Sequence, residues 1–102
     1  MTAPGTPGLT SPGDAVALEV AAVVGAHRSV VRLDDGPYGT IATYLPGRRL
    51  VGVRVGLPGE PVVLGVVLRL GRPLPEVAGE LRGQVAALCG GQPVDVVVAG
   101  VE

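Results

Sequence analysis

The chain has 102 residues, 47% of them hydrophobic, with a formal net charge of −1 and a single cysteine. That length makes one domain, able to hide roughly two thirds of the surface its unfolded form exposes. The near-neutral balance argues against a general nucleic-acid binder, which needs clustered positive charge. One thiol excludes an internal disulfide and fits a reducing compartment, and no apolar run approaches the ~20 residues that cross a bilayer.

Phe and Trp are absent, and valine outnumbers every other residue. A core of valine and leucine favours pleated strands, because branching at Cβ restricts χ1. Residues 1–13 are a tail rich in Pro, Gly and Thr that cannot bury enough apolar surface to order itself. It carries neither the basic start nor the apolar centre of a signal peptide, so a cytoplasmic protein is expected. Residues 14–102 then form one domain.

The first helix starts near Ser11 or Asp14, where Ser11-Pro12-Gly13-Asp14 offers a capping serine, a first-turn proline and an acid. Val16, Val20, Val23 and Val24 make its apolar stripe. A short strand at Val30–Leu33 ends in the turn cluster Asp34-Asp35-Gly36-Pro37. Tyr38–Leu45 alternates as a strand, turns at Pro46-Gly47, and returns through Leu50–Val55. Val62–Leu70 is the longest strand, with Leu64, Val66, Leu68 and Leu70 toward the core.

The second helix carries Pro75 and Glu76 in its first turn. Val77, Ala78, Leu81, Val85 and Leu88 form its apolar arc, and Gly90-Gly91 stops it. A last strand runs from Val94 to Ala99. The order α-β-β-β-β-α-β predicts an α+β two-layer sandwich, a mainly antiparallel four- to five-stranded sheet with two helices on one face. The opposite face then carries Leu50, Val63, Val67, Val97 and Ala99. A surface so apolar predicts cover from a second copy or a protein partner.

Chemistry is hard to find. Cys89 lies at the end of the second helix, where the dipole disfavours a thiolate. His27, the sole histidine, has no second ligand or nucleophile at recognisable spacing and reads as a partly buried or capping residue. Asp34 and Asp35 are neighbours at a strand end and point apart, so they cannot share a proton. No catalytic residue, metal site, cofactor or small-molecule substrate is expected. The candidate contact residues are Tyr44, Arg48 and Arg49 at the hairpin, together with Val63, Val67 and Val97 on the uncovered sheet face. A double arginine beside a tyrosine suits a carboxylate, a phosphate or an aromatic partner.

Three blocks carry a resemblance. Tyr38-Gly39-x-Ile41-Ala42-Thr43-Tyr44-Leu45-Pro46-Gly47-Arg48-Arg49, then Gly71-x-Pro73-Leu74-Pro75-Glu76-Val77, then Pro93-Val94-Asp95-Val96-x-Val98, resemble the alkaline-shock-protein family. Those are the small envelope-stress-response proteins of Gram-positive bacteria, here similar to the short actinobacterial type, and the likeness covers about residues 14–102. Val24–Val30 departs from it, replacing a tight Pro-Gly-Val turn. The resemblance implies a non-enzymatic cytoplasmic protein of cell-envelope homeostasis, with protein partners and, for some members, a small separate membrane anchor. The alternative is a small α+β module that binds RNA or DNA. It lacks stacking aromatics and net positive charge.

Overall fold

Seven consecutive buried residues, Val62–Leu68, make the strand around which the rest of the chain is arranged. In the computed structural model the described residues are 12–102; Ser11 and the tail before it lie outside them. The elements are α1 (Pro12–Gly25), β1 (Val30–Leu33), β2 (Ala42–Leu45), β3 (Arg48–Val51), β4 (Val53–Arg54), β5 (Val62–Leu68), α2 (Leu74–Leu88) and β6 (Val94–Val101). The helix thus begins at Pro12, inside the tail expected from composition.

Strand β5 is central because three strands hydrogen-bond to it. On one side β4 pairs antiparallel with its first half and β1 antiparallel with its second half. On the other side β6 runs parallel to its whole length. The parallel pair is the single exception among the described strands, which otherwise pair antiparallel, and its cause is topological. Strands that run the same way need a crossover, and α2 supplies it.

Both helices cover the same face. Ala17, Val20 and Val24 of α1 and Val77, Leu81 and Val85 of α2 share one buried cluster with Val62, Leu64, Val66 and Leu68. Each Val or Leu fully removed from water contributes about 1.5–3 kcal/mol before chain entropy is counted. The α+β sandwich with two helices on one face is therefore the fold of this chain, in nearly the predicted order.

The differences lie around one glycine. Alternating valines predict a continuous strand over Leu50–Val55, yet Gly52 breaks it at φ +92°. Non-glycine residues avoid that region. The break sends β3 into a separate two-stranded sheet with β2 and lets β4 join the main sheet. A Cβ at Gly52 would meet the Leu33 Cβ at 2.5 Å, so space as well as torsion demands glycine there. Leu50, expected on the far face, consequently packs against the helix-side core. The Tyr38–Leu45 strand shortens to Ala42–Leu45, because residues 36–39 form a turn closed by the Gly39 N–H on the Gly36 carbonyl. Leu70, expected inside, is 77% exposed since the strand ends at Leu68.

Candidate interaction surface

The two-residue Pro46-Gly47 turn sets the β2–β3 register, with Leu45 opposite Arg48 and Tyr44 opposite Arg49. Leu45 and Ala42 are buried while Tyr44 is 75% exposed. Tyr38, just before the hairpin, is 87% exposed. A chain with no Phe or Trp has thus placed both of its aromatic side chains in solvent.

Arg49 is not a free cation. Its Nη2 donates to Asp35 Oδ2 at 3.0 Å and to the Gly39 carbonyl at 2.6 Å. Its guanidinium also sits 5.9 Å from the centre of the Tyr44 ring. These contacts tie the hairpin to the turn before it and set the Arg49 guanidinium beside the Tyr44 ring. Exposed cation–ring contacts are worth about 0.5–1 kcal/mol. Arg48 is exposed at the tip and takes part in no described ion pair. The structure therefore splits the predicted Arg48-Arg49 pair into one structural arginine and one presented to solvent.

The far sheet face differs from expectation. Val63 and Val67 are only 9% and 3% exposed within the single chain. Between them on that face lies Gly65, where a Cβ would be 2.0 Å from the Asp34 carbonyl oxygen and 3.2 Å from Ile41 Cδ1. The segment from Asp34 to Ile41 is folded over the strand. Arg32, the register partner of Val67, reaches across to Glu102 at 2.8 Å. Val63 and Val67 are thus core residues of a second, smaller layer and offer no open docking surface. Val97 is half-buried, and Ala99 is exposed.

The polar groups elsewhere serve the fold. His27 Nε2 lies 2.9 Å from Glu80 Oε1, while its Nδ1 accepts the Ser29 N–H. That second bond fixes the tautomer with the proton on Nε2, which then donates to Glu80. Arg72 also donates to Glu80 and, at 2.6 Å, to Glu76. The Arg72 hydrogen bond first, and His27 after it, hold the Glu80 carboxyl well below the usual carboxylate range, at about 2. This cluster binds the loop after α1 to the first turns of α2, and nothing in the spacing of His27 and Glu80 along the sequence signals it. A group depressed in this way stabilises the fold above pH 4.5 and loses that contribution as pH falls toward 2. Glu80→Gln should flatten the acid limb of stability across that window, measured by urea melts at stepped pH.

Cys89 is partly buried, and burial first, then the charge of Glu19, pushes its thiol upward. An open apolar groove of about 460 Å³ lies beside it, lined by Val16, Val55, Leu88 and Cys89 among others. No group of acidic, histidine or cysteine side chains among the described residues is arranged to hold a metal. No helix among them is long and apolar enough to cross a membrane.

These features define a small α+β domain whose charged groups are largely consumed by its own structure, with a tyrosine-bearing hairpin as its most distinctive surface. Comparison with family models, curated proteins and solved structures returns no match.

Proposed function

We propose that this protein is a non-enzymatic interaction scaffold, working in cell-envelope homeostasis through protein contacts centred on the β2–β3 hairpin. The carrying observation is the exposure of Tyr38, just before the hairpin, and of Tyr44 within it, with Tyr44 beside the Arg49 cation that Asp35 pairs. Tyrosine and arginine dominate the energetic centres of protein interfaces because they offer large, stiff contact area with a polar handle. A tyrosine that already contacts Arg49 has part of its side-chain freedom restricted before docking. The envelope role rests on the three-block likeness to alkaline-shock proteins. That likeness also motivates a cytoplasmic location with recruitment to the membrane by a separate anchor. Absence of a spanning helix among the described residues is compatible with such an arrangement.

The test is a photo-crosslinker at Arg48 in the native cell. Recovery of an integral membrane protein, lost when Tyr44 is replaced by Ala, supports the scaffold. Recovery of RNA alone overturns it. Filter binding at ~50 and ~200 mM salt reads the nucleic-acid alternative separately, since phosphate-driven binding weakens steeply over that range.

A further inference from the structure

The main sheet has two very different margins. Along the margin formed by β4, the hairpin leans in: the Gly52 N–H donates to the Ile41 carbonyl, and Thr43 Oγ1 donates to the Val53 carbonyl at 2.6 Å. Along the opposite margin lies β6, eight residues long, with β5 as its single strand partner among the described residues.

At the two ends of β6, the Pro93 carbonyl accepts from Val62 and Glu102 exchanges bonds with Leu68 and Leu70, all on the β5 side. Ladder bonding alternates. Val94, Val96 and Val98 therefore turn their N–H and C=O groups outward, and none of these groups has a partner among the described residues. A row of unmet main-chain donors and acceptors is a template for another strand.

Edges that are meant to stay single carry proline, lysine, inward charge or a disruptive bulge. Strand β6 has no proline or lysine, and Asp95 is the one charged residue within it. Its register shift against β5 falls beyond Val98, leaving the first five residues regular. We propose that β6 pairs antiparallel with β6 of a second copy of this chain, joining two four-stranded sheets into one of eight.

The second copy fits better than a loose peptide because of what lies on the helix side. Val96 and Val98 pack against the core beneath α2. A lone peptide strand added there would leave its own helix-side residues uncovered next to α2. A second copy brings its own α2 to cover them. Opposed residues in an antiparallel pair share a face, so valines meet valines on the helix side. A two-fold axis at Val96, Val97 or Val98 also keeps the two Asp95 carboxylates from standing opposite each other. This assembly is independent of the hairpin and of the envelope role, and its failure leaves both untouched.

Sedimentation velocity of the full chain is expected to show a dimer at high micromolar concentration. Val98→Pro removes one outward N–H and is tolerated on a free edge. It should yield a monomer with an unchanged circular dichroism spectrum. Amide exchange on the unaltered chain provides a readout that does not depend on the variant folding. Val96 and Val98 should exchange slowly when concentrated and much faster on dilution to low micromolar, by mass action. A monodisperse monomer at high concentration, a Val98→Pro dimer, or exchange at these two amides that ignores concentration would each overturn the pairing.

Discussion

Gly65→Ala is expected to cost about 3 kcal/mol or more, a large share of the 5–15 kcal/mol typical of a domain this size. The added methyl would lie 2.0 Å from the Asp34 carbonyl oxygen, far inside contact distance. The oxygen has nowhere to go. Asp34 donates its own N–H to the Gly65 carbonyl at 2.9 Å, and its Oδ1 accepts the Gly36 N–H at 2.8 Å. The Gly65 N–H in turn donates to the Gly52 carbonyl. Moving Asp34 outward breaks the bonds that hold the turn to the strand. Gly79→Ala is the matched control, because nothing lies within 4 Å of a Cβ there. In the helical interior of α2 it should add about 0.5–1 kcal/mol. Urea melts of the two variants should move in opposite directions, and a Gly65→Ala midpoint equal to that of the parent chain would refute the close approach.

The same glycine shows what the sequence could convey. Elements with a strong period were legible: the strand Val30–Leu33, the alternation of Leu64, Val66 and Leu68, and the apolar arc of α2 depend on local spacing. The role of Gly65 depends on Asp34, a residue far along the chain that arrives through folding. In a chain with 17 glycines, nothing local marks Gly52 and Gly65 as positions where an added Cβ would press on the backbone of a distant segment. Gly52 hid for the same reason. Its neighbours Val51 and Val53 alternate perfectly, and only the positive φ separates them into different sheets.

The candidate surface was legible to the same degree. Tyr44 and Arg48 emerged from the hairpin pattern because alternation and a Pro-Gly turn decide which side chains face out. Arg49 could not be told from Arg48 without knowing that Asp35 returns to within 3.0 Å. Val63 and Val67 misled because alternation assigns a residue to a face and says nothing about what covers that face. Their cover comes from the chain's own irregular segment, which has no period to read.

That cover sets the last expectation. Ile41→Ala should cost about 2–4 kcal/mol, whereas Tyr44→Ala, three residues on, should cost less than about 1 kcal/mol. Ile41 is 4% exposed and its Cδ1 lies over Gly65, on the face that Val63 and Val67 share. Truncating it leaves a void beside two buried valines, and the nearby backbone is fixed by the Ile41 N–H on the Asp35 carbonyl. Collapse into that void is thus restricted, which puts the cost toward the upper part of the range. Tyr44 is 75% exposed with its ring near the Arg49 guanidinium, so its removal takes away little buried surface. Denaturant melts of both variants, read with a dye that binds exposed apolar surface, discriminate between the two roles. Equal midpoints, or dye binding by the Tyr44 variant in place of the Ile41 variant, would mean that the hairpin's inner side is not what closes the far face of the sheet.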